Sequence, residues 1–363
     1  MKHSYFFGIL AATVSVPMAW AGPGNMSASG TKAPPTTTYQ LHDLGSPDFK
    51  SSYARSLSSN GKAAGYVTFD IAGKQRPALF QLGKLPIPIY TDGPGEATGI
   101  NDDGEIVGWY WRGEKKQAFL WKNHGLRLLM SPIGGDSVAT GINNRSEIVG
   151  WFEVAPGVTH GFYFHKGRMI DLGSWGGRSS QATGISKRGD IIGFREKEIG
   201  GRIVKQGVRL PERGRAELLR PPTGFDNLVP LGVNDKGDVT GSMWSSDRPF
   251  DFETAVFATT DGKVENLQRP NCCFGTVGVA INNKGVVVGY NFDRNGDPHE
   301  NLTRWDPKQG QIGMSGLGAP QGWHQLTEGN DINNNGVIVG AGWPQWGIGG
   351  RQTAIMLVPQ GKH

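Results

Sequence analysis

The sequence predicts an all-β protein: a seven-bladed β-propeller of four-stranded blades, closed by an N-terminal strand that completes the last blade. Three observations predict this fold. A short sequence motif recurs seven times along the chain. Each repeat has the alternating residue pattern of β-strands, and the two ends of the chain match different parts of one repeat. The phrase is clearest as ATGINDDGEIVGWYW, ATGINNRSEIVGWFE and ATGISKRGDIIGFRE, which begin at Ala97, Ala139 and Ala182.

The period of the repeat indicates a propeller or a solenoid. The apolar residue before the Asn or Ser of each phrase marks the copies at Leu57, Ile100, Ile142, Ile185, Val233, Ile281 and Ile332. Spacings between 42 and 51 residues are typical of these architectures. Residues 105–111 and 286–292 are rich in β-branched and aromatic residues, as strands are. A second pair of strand-like segments follows, for example 117–121 and 126–130, so each repeat fits a four-stranded blade.

The ends of the chain predict how the ring closes. Residues 42–57 align with residues 170–185, and both segments contain Asp-Leu-Gly. The N-terminal segment therefore resembles a fourth strand, whereas residues 353–361 resemble a third strand. A last blade completed by the N-terminal strand leaves no exposed sheet edge, which favours a closed ring over an open solenoid.

The first residues predict export. Residues 1–21 have the features of a secretory signal peptide, with Lys2, an apolar run over 5–16 and the small-x-small step Ala19-Trp20-Ala21. Residues 22–38 are rich in Gly, Ser, Pro and Thr and are expected to form a flexible linker. Residues 39–363 are expected to form one propeller domain. The expected location is the periplasm or the extracellular space, with no membrane span.

The repeated phrase is interpreted as structural. Its first four residues are predicted to be the innermost strand, with glycines where a side chain would crowd the axis, at Gly99, Gly141, Gly184 and Gly232. The Asn or Ser that follows is expected to bond the backbone of the next turn, at Asn101, Asn143, Ser186, Asn234, Asn282 and Asn333. A later glycine, such as Gly104, is expected to supply a positive φ. The Gly-aromatic step, such as Gly108-Trp109, is predicted to pack between blades.

The repeats resemble those of the bacterial extracellular HAF family. The resemblance rests on the third-strand steps Gln117-Ala118-Phe119 and His160-Gly161-Phe162, on DLGSWGG at 171–177 and on the ATGIN…IVG phrases. It covers residues 39–361. The resemblance implies export and a propeller-like fold, and it implies no activity.

Function is therefore expected in the segments that differ between repeats. The connections between blades and the loops between second and third strands are predicted to share one ligand face. The candidate ligand-binding residues on it are Trp175, Arg178, Asp226, Trp323, His324, Trp343 and Trp346. Indole rings and polar side chains together suit sugar recognition. The alternative is that Trp175, Trp323 and Trp343 fill gaps between blades.

Two classes of function follow from this face. The first is a secreted, monomeric module that binds an extracellular glycan or protein. The second is an extracellular polysaccharide lyase or hydrolase, which would need convergent carboxylates or a His with Tyr or Arg. No catalytic residue is assigned. The basic residues are scattered and the formal net charge is only +5, so nucleic acid is not an expected partner.

Two smaller motifs leave alternatives open. Cys272 and Cys273 are the only cysteines, and in an exported protein they form either a vicinal disulfide or a structural turn with free thiols. Asn291, Asp293 and Asn295 match the first positions of a calcium loop. Position 12 of that loop is Leu302, so a polar hairpin loop is the alternative. No cofactor is expected, and calcium is the one ion with a partial motif.

Overall fold

The computed structural model confirms the predicted fold. It describes residues 37–69, 74–247, 254–260, 262–267, 275–292, 301–308, 310–313, 323–344 and 351–360. Within these ranges the chain forms seven antiparallel sheets of four strands each. The same residues contain no helix that is long and apolar enough to cross a bilayer.

Twenty-eight strands build the ring within the described ranges. In chain order they are β1 (Thr38–Asp43), β2 (Ser51–Leu57), β3 (Lys62–Thr68), β4 (Gln75–Gln81), β5 (Ile87–Pro88), β6 (Gly95–Ile100), β7 (Ile106–Arg112), β8 (Lys115–Lys122), β9 (Gly125–Leu128), β10 (Ser137–Ile142), β11 (Ile148–Ala155), β12 (Val158–His165), β13 (Arg168–Asp171), β14 (Ser179–Ile185), β15 (Ile191–Ile199), β16 (Arg202–Leu210), β17 (Glu217–Leu218), β18 (Asn227–Val233), β19 (Val239–Trp244), β20 (Thr254–Ala258), β21 (Val264–Asn266), β22 (Gly275–Ile281), β23 (Val287–Phe292), β24 (Asn301–Asp306), β25 (Gly310–Gly313), β26 (Trp323–Ile332), β27 (Ile338–Pro344) and β28 (Thr353–Gln360). Blades 1 to 6 take four consecutive strands each from β2 onward, and blade 7 is β26, β27, β28 and β1.

The clasp is β1, the N-terminal strand that completes blade 7. It pairs antiparallel with β28 from Thr38 opposite Gln360 to Asp43 opposite Ile355. Asp43 Oδ1 accepts hydrogen bonds from the Gly45 N–H at 2.7 Å and from Thr353 Oγ1 at 2.9 Å. Asp171 accepts the Gly173 N–H at 2.7 Å in the same way, which confirms the alignment of the two Asp-Leu-Gly segments.

A crowded glycine recurs in the second strand of each blade. The first strand of blade 2 has an irregularity between Ala97 and Gly99, and the carbonyl of Glu96 lies against Gly108. A Cβ on Gly108 would overlap that carbonyl oxygen. The equivalent glycine has the same close approach in all seven blades, at Gly65, Gly108, Gly150, Gly193, Gly241, Gly289 and Gly340.

The expected crowding of the first-strand glycines is correct only in part. A Cβ on Gly232 would lie 2.8 Å from the Val279 carbonyl oxygen, so the prediction is right there. It is wrong for Gly141, where the nearest heavy atom would be at an ordinary 3.5 Å. The reason is that the bulge directs a first-strand carbonyl toward the second strand, so the tightest approach occurs between these two strands.

The core consists of apolar layers between neighbouring blades. Val107 and Ala118 of blade 2 pack with Ile148, Phe152 and Phe162 of blade 3 in one such layer. Each large side chain buried this way contributes about 1.5–3 kcal/mol to stability. These apolar layers fix the blades around the axis. The polar groups lie at the two ends of the blades, on the two faces of the ring.

Candidate functional site

The ring has two distinct faces. The turn face carries the turns between first and second strands. The loop face carries the connections between blades and the hairpins between second and third strands. Backbone hydrogen bonds hold these loop-face segments together in pairs, as between the Arg178 N–H and the Glu196 carbonyl at 2.7 Å and between the Trp111 N–H and the Pro94 carbonyl at 2.8 Å. The prediction that these segments share one end is therefore confirmed.

At the turn face, buried amides join each blade to the next. Asn101 Oδ1 accepts the Glu105 N–H at 2.9 Å, as predicted for this position, and its Nδ2 donates to the Asn143 carbonyl of blade 3 at 3.1 Å. Asn143 Nδ2 donates in turn to the Ser186 carbonyl at 3.2 Å. The same inter-blade bond recurs at Asn234, Asn282 and Asn333. The repeated phrase thus serves the closure of the ring.

The next residue of each repeat forms an outer rim at the turn face. The seven rim residues are Ser59, Asp102, Asn144, Lys187, Asp235, Asn283 and Asn334. Rim oxygens accept the backbone N–H of the preceding blade, as Asp102 Oδ1 does from Ser59 at 2.6 Å. Lys187 is the one basic member of this set. Its ammonium reaches blades 1 and 2, where it contacts Ser59 Oγ at 2.5 Å and Asp102 Oδ2 at 3.1 Å.

Inside the rim lies an axial cavity of about 310 Å³, to which all seven blades contribute. Arg55 reaches into it and pairs with Glu96 at 2.5 Å and with Glu328 at 3.7 Å. Asp331 also lines it and accepts the N–H groups of Leu57 at 2.7 Å and Ile332 at 2.8 Å. Burial raises the pKa of Asp331 to about 6, against the opposing effect of these hydrogen bonds.

At the loop face a second, open cavity of about 580 Å³ lies between blades 4 and 5. The hairpin of β15 and β16 forms one wall, and the connection from blade 4 to blade 5 forms the other. Its lining combines apolar, amide and charged side chains from Ile199, Arg202, Val204, Gln206, Pro221, Phe225, Asp226 and Asp247. Arg202 and Asp247 form an exposed ion pair within it.

Asp226, a predicted ligand residue, is exposed in this cavity. Burial raises its pKa, but hydrogen bonds from Ser246 and Asn227 outweigh that effect, so the pKa of Asp226 lies below its ordinary value. The Ser246 N–H donates to Asp226 Oδ1 at 2.7 Å and Asn227 Nδ2 at 2.8 Å. The carboxylate is therefore held ionised and in a fixed direction.

Two of the predicted tryptophans, Trp175 and Trp323, have packing contacts. Trp175 is half-buried against Val149, Ala182 and Ile191, between blades 3 and 4. Trp323 begins β26 and packs against the apolar cluster shared by blades 6 and 7. Trp343 is half-buried and lies opposite Gln325 on the neighbouring strand. The contacts of Trp175 and Trp323 fit the gap-filling alternative for these two residues.

The other predicted residues are dispersed. Arg178 is exposed on the connection into blade 4, and His324 is exposed in blade 7. The hydrogen bonds to Asp226 come from Asn227 and Ser246 of blade 5, so these three predicted residues belong to different blades. Asn291 is buried in β23. Trp346, Cys272, Cys273, Asp293 and Asn295 lie outside the described residues, and their roles stay predictions.

The fold and the two cavities define the class of the molecule as a seven-bladed β-propeller with one polar cavity on the axis and one on the loop face. No family model and no curated protein matches the sequence. Among solved structures, it is similar to virginiamycin B lyase from Staphylococcus aureus, with 15% identity, a TM-score of 0.54 and coverage of 90% of this chain and 100% of that one. It is also similar to a puromycin-hydrolysing peptidase from Mycobacterium tuberculosis, with 8% identity, a TM-score of 0.50 and coverage of 92% of this chain and 56% of that one. At these identities the likeness shows the fold alone.

Several site residues were missed from the sequence. Arg202 joins Asp226 because the β15–β16 hairpin lies beside the connection into blade 5, and Asp247 follows the second strand of blade 5. Phe225 directly precedes Asp226 in the sequence. In contrast, Lys187 and Asp331 carry a signal in the sequence, because they depart from the repeat. Lys187 replaces an Asp, Asn or Ser, and Asp331 replaces a Gly, Ala or Ser.

Proposed function

We propose that the protein is an exported binding module that recognises an extracellular glycan through the loop-face cavity between blades 4 and 5. The observation that carries this proposal is the presence of an ionised, oriented Asp226 beside Phe225 in one open cavity. A sugar ring offers apolar C–H faces to an aromatic ring and hydroxyl groups to a carboxylate, so this pair matches both sides of a saccharide.

The remaining lining supports the same ligand class. Phe225 packs on one side against the apolar core of blades 4 and 5, which fixes the ring position before a ligand arrives. Gln206 adds an amide that donates and accepts hydrogen bonds. The Arg202–Asp247 pair is exposed to solvent, which screens the attraction between its charges, so its two partners can turn to sugar hydroxyls at little cost. The volume of about 580 Å³ falls within the range of small-ligand sites.

The cavity favours binding over hydrolysis. A glycosidase needs a carboxylic acid whose pKa is raised, so that it can protonate the leaving oxygen. The pKa of Asp226 is lowered instead, because hydrogen bonds from Ser246 and Asn227 stabilise its charged form. Asp226 is therefore suited to accept hydrogen bonds from a ligand and unsuited to act as the general acid.

A glycan array probed with residues 22–363 tests the proposal. We expect binding to a subset of glycans, and loss of most of that signal in Phe225→Ala and in Asp226→Asn. Asp103→Asn changes an exposed carboxylate on the opposite face and is the matched control, with binding retained. Equal binding by the Phe225 and Asp226 variants, in folded protein, would place the ligand elsewhere. Release of shortened sugars from a bound polysaccharide would favour the hydrolase or lyase class.

A further inference from the structure

Asp331 is the first of two departures from the repeat that meet in the axial cavity. The equivalent residues of the other blades are Ser56, Gly99, Gly141, Gly184, Gly232 and Ala280. Only blade 7 places a carboxylate at this position. Its hydrogen bonds come from two backbone N–H groups and from Ser56 Oγ at 3.3 Å, and within the described chain it forms no ion pair. Lys187 is the cation whose charge acts on this carboxylate, and the two groups form no direct ion pair, so Asp331 can attract an ammonium that comes closer.

Lys187 is the second departure, and it has a cost for the fold. A rim residue normally accepts the backbone N–H of the preceding blade, as Asn144 Oδ1 does from Asp102 at 3.0 Å. Lysine has no acceptor atom, so Lys187 cannot do this for Asn144. Instead, its ammonium extends across the mouth to Asp102 and Ser59. This contact shows that the mouth accommodates a primary ammonium.

The charges around the cavity are unbalanced. Asp102, Asp235 and Asp331 all line it, whereas Lys187 and Arg55 are its cations. Arg55 is already engaged by Glu96 and Glu328. A concave site with excess negative charge concentrates cations from solution.

We propose that the axial cavity is a binding site for a small organic cation with a primary ammonium group. The ligand enters from the turn face and its ammonium pairs with Asp331, below the rim. A second ammonium, in a diamine, reaches the rim at Asp235. Lys187 is displaced toward solvent as the ligand enters, which costs little because its side chain is 41% exposed. The volume of about 310 Å³ accommodates a diamine with a five-carbon chain, which has seven heavy atoms.

Calorimetric titration at low ionic strength tests this site. The probe is cadaverine, and 1,5-pentanediol is the uncharged control of the same length. We expect binding of cadaverine only. Asp331→Asn should weaken it by about tenfold, because a charge-assisted hydrogen bond becomes a neutral one. Lys187→Met should strengthen it, since the competing ammonium is removed. Asp103→Asn, on the same face outside the cavity lining, should change nothing.

The titration also has results that overturn the site. These are undetectable binding of cadaverine at millimolar concentration, equal binding of the diol, or unchanged affinity in a folded Asp331→Asn variant. Asp235→Asn alters the rim without touching the inner strand, so it decides the matter if Asp331→Asn does not fold. Weaker cadaverine binding in Asp235→Asn together with tighter binding in Lys187→Met supports the site, and any other pair of results rejects it.

Discussion

The two faces of the ring use the same seven repeats in opposite ways. On the turn face, Asn143 and its equivalents direct their polar groups toward neighbouring blades, so these repeated amides are used in the contacts between blades. On the loop face, Asp226, Arg202 and Phe225 occur in one place only and open into a cavity. The comparison shows that residues repeated in every blade hold the blades together. Residues that occur in one blade only are available to bind ligands. Lys187 and Asp331 occur in one blade only, although they lie on the turn face.

Deleting residues 38–45 should have the largest effect, because both faces depend on closure of the ring. The deletion removes β1, its six residue pairs with β28, and the packing of Tyr39 and Leu41 on blade 7. We expect an unstable chain that aggregates through the exposed edge of β28. Thermal unfolding and light scattering measure this. A truncated chain with the melting temperature of the full chain would contradict the closure.

Gly150→Ala should have the second-largest effect on stability. It tests whether second-strand glycines are more crowded than first-strand glycines. A Cβ at this position overlaps the Val138 carbonyl oxygen, so we expect a loss of about 3 kcal/mol or more. Gly141→Ala is the matched control in the adjacent strand. Its Cβ has ordinary contacts, so we expect a change below about 1 kcal/mol. Urea unfolding of both variants gives the comparison, and similar losses would show that the bulge is not the cause.

Asn143→Ala and Asn144→Ala compare neighbouring amides on the turn face. Asn143 is 3% exposed and bonds both its own turn and the next blade, so its removal should cost about 2 kcal/mol. Asn144 is exposed on the rim, and its loss should cost less than about 1 kcal/mol. Equal costs, measured by urea unfolding, would contradict the assignment of the buried amides to blade closure.

The smallest effects should come from Asp331 and Asp226, with opposite signs. Burial raises the pKa of Asp331 to about 6 in the folded state, above its ordinary value of 3.8, so the ionised form destabilises the fold. Stability should therefore increase as the pH falls from 7 to 5, and Asp331→Asn should raise stability at pH 7 by about 1 kcal/mol. The pKa of Asp226 is lowered, so Asp226→Asn should slightly reduce stability at pH 7 and have no effect near pH 2.

Urea midpoints at pH 7 and pH 5 measure the contribution of Asp331. The stabilisation on acidification should be smaller in Asp331→Asn than in the wild type. The part that remains should come from Glu328, whose pKa is also raised by burial. A wild-type midpoint that falls steadily between pH 7 and pH 5 would contradict the assignment.

The fold was predictable because the spacing of the repeats gives the period and their residue pattern gives the number of strands per blade. The match of the two chain ends to different parts of one repeat predicts how the ring closes. The Asp-Leu-Gly segments at Asp43 and Asp171 form the same turn, and this identity revealed the clasp. The glycines were less predictable. Gly141 and Gly150 both recur in the phrase, and only the bulge in the first strand decides which of them a carbonyl crowds.

The candidate site was predictable only in part. Asp226 was found because its loop differs from the other repeats. The tryptophans were chosen for the same reason, but Trp175 and Trp323 bury one side against apolar neighbours, and sequence alone does not separate stacking on a sugar from stacking on a blade. The contact of Lys187 with Asp102 of blade 2 was not predictable, because it depends on the diameter of the ring.

The clasp also fixes an order of events during synthesis. The strand Thr38–Asp43 is made before any blade, and its partner Thr353–Gln360 is made after all the others. The first strand of the propeller must therefore wait, unpaired, while six complete blades are produced behind it. Every molecule passes through a stage in which two complementary strand edges are both open. A neighbouring chain at the same stage offers the same edge, so crowding of unfinished chains favours exchange of this strand between molecules.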